Sequence, residues 1–437
     1  MKIEITNQGK WYQSLTLKLG LLAFLGLVLL IPLELIKETI RERQNNAEKV
    51  KKEIGSQWAD PQYVSGPVLN IPVVTIPKQK DEKPETLIWH VMPESLNITG
   101  TLAPEKRYRG IYQSVVYTSL LKLSGGFSIP SETELANFRV LLNEAYFTMG
   151  ISDNRGLKGA VKMTIDSSTI DAEPGVRDKD LYKSGITFPY PVSSGKRLVA
   201  YSIDLNLSGS EGIYFCPAGK STKVSLASAW NAPSFSGSFL PASRKINDNG
   251  FSAEWAVTHL NRNFPQSWTG GDFNLRESSF GVDLFLTVDH YQKSWRSARY
   301  GLLFIALTFL VLIFLEITRK EPIHIFHYFL VSLALLLFFS MLNALSEQTG
   351  FGIAYLLSSS ATIVLISSFT AALFSNRKMA LIVFGMLVML YTFIYVLLTL
   401  NDYAYLAGNI GLFVLLAVVM GLASRMNIFR NNEESLG

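Results

Sequence analysis

Long apolar runs near both ends of the chain are its most prominent pattern. A bilayer core about 30 Å thick needs about 20 apolar residues to be crossed by a helix. Six runs meet this requirement, and the last four contain no Lys, Arg, Asp or Glu. They predict one membrane helix near the N-terminus and five closely spaced helices in the C-terminal third: 19–35, 300–317, 326–345, 353–374, 379–400 and 403–423.

The first apolar run has two interpretations, a cleaved signal peptide or a permanent anchor. It leads directly into the charged stretch that begins at Glu34, without small residues at a cleavage position. We therefore favour an uncleaved anchor.

Basic residues in the short loops predict the orientation of these helices. They follow the second, fourth and sixth runs, whereas the alternate loops carry none: Arg319, Lys320, Arg377, Lys378, Arg425 and Arg430. Because such residues stay on the cytoplasmic side, residues 1–18 and 424–437 are expected inside and residues 36–298 outside. Six basic residues between positions 37 and 52 argue the opposite, but long loops obey this rule poorly.

A highly charged segment, residues 36–58, follows the first apolar run. Its apolar residues recur at helical spacings, at Ile36, Ile40, Ala47, Val50 and Ile54. The spacing predicts that the first membrane helix continues well beyond the membrane. Arg43 interrupts the apolar stripe, so we favour a helix packed on its own domain over an intermolecular coiled coil.

Beyond Gly66 the apolar pattern changes to a period of two. Alternating runs at 199–207, 251–257 and 282–288 are separated by breaks rich in Gly, Ser and Asn. This pattern is typical of antiparallel strands with one buried face. It predicts a large, mainly β domain, sandwich-like in fold. One short helix is also expected, from Glu132 to Leu142.

Composition and motifs exclude several function classes. The net charge of +5 is not clustered as nucleic-acid binding requires, and the single cysteine, Cys216, excludes an internal disulfide and multi-cysteine metal sites. The segment from Pro217 to Thr222 ends like a phosphate-binding loop, but Tyr214 stands where that motif needs glycine. It therefore predicts a hairpin turn.

Candidate catalytic groups do not occur at productive spacings. His90, His259 and His290 are not paired at metal-ligand spacing, and Cys216 is interpreted as a small core residue. We therefore predict no catalytic residues, no metal site and no cofactor. The expected partners are the lipid bilayer and, in addition, other envelope proteins or cell-wall components.

Polar residues at the ends of the apolar runs provide the one candidate site. Asn343 and Glu347 lie one helical turn apart near the end of the third run, and Asp402 precedes the sixth. The predicted topology places the two carboxylates on the outer face, so the three residues are expected to form a polar rim. The alternative is that the carboxylates are simply hydrated. Serines in the fourth run predict close helix packing.

Several long stretches of the chain resemble one known family, the CreD-type inner-membrane proteins, described as cell envelope integrity proteins. In the outer segment they begin at Ser65 (Ser-Gly-Pro-Val-Leu), Arg109 (Arg-Gly-Ile-Tyr), Pro233 (Pro-Ser-Phe-Ser-Gly-Ser-Phe-Leu-Pro), His259 (His-Leu-Asn-Arg-Asn-Phe-Pro-Gln-Ser-Trp) and Phe280 (Phe-Gly-Val-Asp-Leu-Phe-Leu-Thr-Val-Asp-His-Tyr-Gln-Lys-Ser). In the membrane part they begin at Tyr328 (Tyr-Phe-Leu-Val-Ser-Leu-Ala-Leu), Leu345 (Leu-Ser-Glu-Gln-Thr-Gly-Phe) and Asp402 (Asp-Tyr-Ala-Tyr-Leu-Ala-Gly).

The chain also departs from the family pattern. Ile325 replaces the usual proline after His324, and His327 replaces glutamine. Gln348 replaces the usual histidine, and Asn401 replaces an acid. The last two changes remove titratable residues beside the predicted rim.

The resemblance implies a bacterial inner-membrane protein linked to envelope maintenance, β-lactam response and colicin tolerance. It transfers no catalytic residue. We therefore expect a non-enzymatic protein that supports envelope integrity and the stress response. A transporter, permease-like subunit or lipid-handling protein is the alternative, because five linked spans exceed what anchoring needs. A periplasmic hydrolase ranks last.

Overall fold

A computed structural model of the protein describes residues 15–77, 83–192, 197–271, 273–284, 290–319, 322–374 and 377–400, together with 406–411, 413, 417, 420 and 421. The chain divides into two compact units. One combines Met1–Asn46 with Val288–Gly437 and is called the membrane unit here. The other, Ala47–Thr287, is called the β unit.

Helices within the described residues follow the apolar runs closely. Five helical stretches are long and apolar enough to cross a membrane: Leu17–Trp58, Gly301–Thr318, Ile325–Thr349, Phe351–Phe374 and Arg377–Thr399. The predicted sixth span, 403–423, lies largely outside the described residues. The helices are α1 (Leu15–Val28), α2 (Leu30–Trp58), α3 (His290–Arg299), α4 (Gly301–Arg319), α5 (Ile325–Thr349), α6 (Phe351–Phe374) and α7 (Arg377–Thr399).

The first apolar run and the charged segment form almost one helix. Only Leu29 separates α1 from α2, and hydrogen bonds from Leu29 to Leu25 and from Leu33 to Leu29 continue across the break. Pro32 lacks the N–H that would bond to the Val28 carbonyl, which explains an irregularity at this point. The predicted charged helix 36–58 lies within α2.

One side of the first helices packs within the membrane unit, whereas most of their apolar side chains are exposed. Leu22, Leu29, Leu33 and Ile40 are buried on one side of α1 and α2. A Cβ atom at Gly301 would lie 2.6 Å from Leu33 Cδ1, so a larger residue here would force the Leu33 side chain to shift.

The β unit contains two mixed sheets. The first has the order β14-β18-β12-β1-β6-β10-β9, with β2 and β5 also paired to β1 and β17 paired to β2; the second has the order β15-β16-β13-β3-β4-β11-β7-β8. Most pairs are antiparallel as predicted, but β1–β12 and β3–β13 are parallel. The strands are β1 (Gln62–Thr75), β2 (Thr86–Val91), β3 (Ser95–Arg109), β4 (Tyr112–Ile129), β5 (Phe138–Val140), β6 (Tyr146–Ile151), β7 (Lys162–Ile165), β8 (Ser168–Asp171), β9 (Glu173–Pro174), β10 (Gly185–Pro189), β11 (Arg197–Ser210), β12 (Gly212–Phe215), β13 (Ser221–Ser228), β14 (Pro233–Gly237), β15 (Ser243–Asn247), β16 (Gly250–Thr258), β17 (Ser267–Thr269) and β18 (Phe280–Leu284).

The apolar residues that recur at every second position form the buried face of the strands. In β11 the alternating residues Val199, Tyr201, Ile203, Leu205 and Leu207 are all buried. In β16 the buried and exposed positions alternate without exception from 251 to 258. Both sheets contribute to one hydrophobic core that includes Leu123, Phe127, Phe147 and Trp255. The mainly β prediction is therefore confirmed. The third run is described only as far as Leu284.

Two local predictions for this unit are wrong. The expected helix from Glu132 to Leu142 is instead a 3-10 turn at Glu132–Glu134, followed by the short strand β5. β5 extends the sheet by pairing with β1, and these bonds replace helical ones. The segment Pro217–Thr222 is not a hairpin turn, because the strands it joins, β12 and β13, belong to different sheets.

The last turns of α2 pack on the β unit, as the favoured interpretation predicted. Trp58 Nε1 donates to the Tyr117 carbonyl at 3.2 Å. Arg107 lies over the Trp58 ring, 5.2 Å from its centroid, and Arg109 pairs with Glu53. These contacts fix the end of α2 to the long β3–β4 hairpin.

Candidate functional site

The predicted rim residue Glu347 lies in the last turn of α5, which ends at Gly350 with a φ of 80°. Its side chain is only 10% exposed. Tyr291 of α3 donates its hydroxyl to Glu347 Oε1 at 3.3 Å, and Arg43 Nη1 of α2 lies 3.8 Å from Oε2. The carboxylate is therefore enclosed between three helices.

Small polar residues surround this carboxylate on the same helices. Ser294 of α3 and Ser346 of α5 bring their hydroxyl oxygens to 3.4 Å, and Ser346 also donates to the Asn343 carbonyl. Asn343 is buried, and its Oδ1 atom has no hydrogen-bond partner within the described residues. Asp402, the third predicted rim residue, lies outside the described residues, so the complete rim stays a prediction.

A second ion pair, largely buried at both partners, lies near the other end of α5. Lys18 Nζ of α1 donates to Glu316 Oε1 of α4 at 2.5 Å and to the Ile323 carbonyl at 2.5 Å. Tyr328 of α5 donates its hydroxyl to Glu316 Oε2 at 2.9 Å. The Lys18 and Glu316 side chains are 14% and 15% exposed. Isolated charges are costly in such surroundings, and their pairing removes much of that cost.

The two ion pairs are built from the same kinds of residue. We call Lys18, Glu316 and Tyr328 the Glu316 cluster, and Arg43, Glu347 and Tyr291 the Glu347 cluster. In each, a basic residue from α1 or α2 meets a glutamate from the C-terminal helices, and a tyrosine hydroxyl also donates to that glutamate. Tyr328 and Glu347 are 19 positions apart on α5, about 28 Å at 1.5 Å per residue. This is close to the thickness of a bilayer core. The clusters can thus fix the register of the first helix against the others.

Sequence reasoning located one cluster in part and missed the other. Glu316 sits inside an apolar run, and an acid in that position is a signal of a buried polar contact. The sequence does not reveal its partner, because Lys18 lies 298 positions away. Arg43 and Glu347 are likewise far apart in the sequence, which shows Arg43 only as an interruption of an apolar stripe.

Cys216 and His90 lie in the interior of the β unit. Cys216 is buried and donates to the Leu275 carbonyl at 3.4 Å, and burial raises the pKa of its thiol to about 11. His90 is buried, with Nδ1 at 2.7 Å from Asn70 Oδ1 and Nε2 at 3.4 Å from Asp178. Throughout the described part of the chain, no cluster of three or more His, Cys, Asp or Glu residues could hold a metal ion.

Comparison with known proteins gives consistent matches over nearly the whole chain. The sequence profile of the family described as "Inner membrane protein CreD" matches residues 14–429. The inner membrane protein CreD of Escherichia coli (strain K12) is 30% identical over 403 residues, which cover 90% of this chain and 89% of that protein.

Proposed function

Because the chain belongs to the CreD family of inner membrane proteins, we propose that it supports the integrity of the cell envelope under stress without catalysing a reaction. It acts through its β unit and its membrane helices together. The β unit lies in the periplasm, and both termini lie in the cytoplasm. Its partners are the bilayer and other envelope proteins or cell-wall components.

The observation that supports this proposal is the pair of contacts in the Glu316 and Glu347 clusters. An anchor needs only one helix, and no ion pair to further helices. Here Lys18 and Arg43, at the two ends of the first membrane segment, each meet a buried glutamate of the C-terminal helices. The C-terminal helices therefore contact the first membrane segment, and α2 continues along the chain from that segment to Trp58. We infer that both parts are needed for the same function.

Complementation of a strain that lacks the protein tests this inference. The strain receives the full chain or a version ending after the β unit, so that the β unit is tethered by the first helix alone. β-lactam and colicin sensitivity are then compared at equal protein abundance. The tethered version should fail to restore resistance. Full rescue by it would show that the C-terminal helices are dispensable.

Point variants test the Glu347 cluster in the same strain. Glu347→Gln removes the charge that faces Arg43 while keeping the size of the side chain, and it should impair resistance at unchanged membrane level. Gln348→Ala is the matched control, because Gln348 is the exposed neighbour on the same turn. If both variants restore resistance equally, the charge of Glu347 is not needed for function.

Reporter fusions test the orientation. A reporter active only in the periplasm should be active when fused at Gly195 or at Gly350, and inactive at Arg377. The reverse pattern would overturn the periplasmic placement of the β unit.

A transporter or lipid-handling protein is the second candidate, favoured by one observation. Buried side-chain oxygens of Asn343, Ser358 and Ser367 have no hydrogen-bond partner within the described residues. Such groups inside a membrane bundle mark a hydrated or polar pathway in many transporters. If this candidate is correct, Ser358→Ala and Asn343→Leu should reduce function without lowering stability. Unchanged resistance in both would disfavour transport.

A further inference from the structure

A cavity in the β unit has the composition of an anion-binding site. Its volume is about 660 Å³, within the range of small-molecule sites. It lies between the start of β1, the end of β6, the loop 179–184 and the segment 273–279. Most of its polar lining consists of hydroxyl, amide and cationic groups, which can donate hydrogen bonds.

Three cations from two separate segments line this cavity. They are Lys179, Lys183 and Arg276, and Asp180 is the only carboxylate among the described lining residues. None of the three cations forms an ion pair within the described part of the chain, although other basic residues of this unit do, such as Arg177 with Glu173. Like charges repel each other when they converge. An anion in the cavity would offset this repulsion.

Arg276 is held in position by an aromatic stack. Its guanidinium carbon lies 3.8 Å from the centroid of the Tyr63 ring. Tyr63 stacks on Tyr214 with ring centroids 4.5 Å apart, and Tyr214 donates its hydroxyl to Asp283. A guanidinium that lies flat on a ring keeps its N–H edge available for hydrogen bonds in its own plane. Arg276 is therefore oriented before any ligand arrives.

Hydroxyl groups line the cavity, and the charge of the buried Arg262 interacts with one of its lining residues, Cys216. Ser65 and Tyr182 bring their hydroxyl oxygens to 2.8 Å beside Cys216. Arg262, whose charge interacts with Cys216, is 7% exposed, and its Nε and Nη1 atoms have no hydrogen-bond partner within the described residues. Burial lowers the pKa of the guanidinium to about 10, because desolvation disfavours its charged form. This positive charge adds to the attraction for an anion.

We propose that this cavity binds a phosphate group, carried either by a soluble phosphate ester or by a phospholipid headgroup. Cations from two separate segments suit an anion whose oxygens point in several directions. A carboxylate offers only two oxygens in one plane. Arg276 forms the bidentate contact, and the two lysines contribute point charges. This inference is independent of the proposed role in envelope integrity.

Calorimetric titration of the purified full chain tests the site. The protein is held in nanodiscs of phosphatidylcholine, and the probes are inorganic phosphate and water-soluble dihexanoyl phosphatidylglycerol. At least one probe should bind. Tighter binding of the short-chain lipid identifies a headgroup as the source, whereas tighter binding of inorganic phosphate identifies a soluble ester. Absence of binding by both probes overturns the proposal.

Charge-matched variants assign the binding to the cavity. Arg276→Gln and Lys183→Gln should each weaken binding roughly tenfold or more, because each removes a charged contact. Lys223→Gln removes the same charge from an exposed position on β13 outside the cavity and should bind as the wild type does. Unchanged unfolding temperatures without phosphate show that the variants are folded. Equal affinity in Arg276→Gln and Lys223→Gln would refute the site.

Discussion

The ion pair between Lys18 and Glu316 in the membrane unit is much less exposed than most ion pairs of the β unit. In the β unit, most ion pairs lie at the surface, as with Arg109 and Glu53, whose side chains are 57% and 55% exposed. In the membrane unit, Lys18 and Glu316 are 14% and 15% exposed. Water and salt screen the first pair, whereas the second is enclosed by apolar helices.

This difference in exposure arises because strands and membrane helices select their packing partners by different interactions. In the β unit, burial of alternating apolar residues away from water specifies which face of each strand points to the core. Membrane helices are apolar on all sides, and lipid solvates them as well as another helix does. Small residues such as Gly301 and a few buried polar pairs therefore have to specify the helix contacts. The comparison predicts that polar changes matter most in the membrane unit.

The largest effect is expected from Glu316→Ala. It leaves the Lys18 ammonium buried without its carboxylate, and removing one partner of a buried pair costs about 3–5 kcal/mol. Denaturant unfolding in detergent should show this loss in the free energy of unfolding. The double variant Lys18→Met with Glu316→Met removes both charges and should recover most of the loss. Equal stability of the wild type and Glu316→Ala would contradict the comparison.

In the β unit, we expect a comparable loss of unfolding free energy only when a residue of the apolar core is truncated. Leu123 is fully buried between the sheets, so Leu123→Ala should cost about 2–5 kcal/mol. Leu120 lies on the same strand and is 61% exposed, so Leu120→Ala serves as the control. Thermal unfolding followed by circular dichroism measures both. A similar loss in both variants would argue that the alternation does not define the core.

A smaller, pH-dependent effect is expected at His90. Burial lowers the pKa of His90 below 6.5, against the opposing effects of Asp178 and Asp180. Because the unfolded state then binds the proton more readily, stability should fall as the pH drops below about 6.5. His90→Gln should unfold with a flatter pH dependence between about pH 7.5 and 5.5. An unchanged slope would show that His90 does not contribute to it.

The smallest effect is expected from Arg109→Ala. The Arg109–Glu53 pair is more than half exposed, and such pairs contribute about 0.2–1 kcal/mol. Added salt should reduce even this difference in unfolding free energy. A loss as large as that of Glu316→Ala would remove the distinction between the two units.

The sequence by itself determined the elements of this protein. Apolar run length located the five described spans, and the period of two identified the buried faces of β11 and β16. These are local properties, because helix rise and strand alternation repeat over a few residues. The same reasoning failed between Glu132 and Leu142, where pairing of β5 with β1 overrides local preference.

Only the tertiary structure decided which elements meet. It placed β12 and β13 in different sheets, introduced the two parallel strand pairs, and gave Glu347 and Glu316 their basic partners. In the β unit, it also gathered Lys179, Lys183 and Arg276 around one cavity. These contacts join residues up to 298 positions apart, and nothing in the local spacing of either partner encodes the other. They arise because distant elements must bury their apolar faces together and pair the charges that are buried with them.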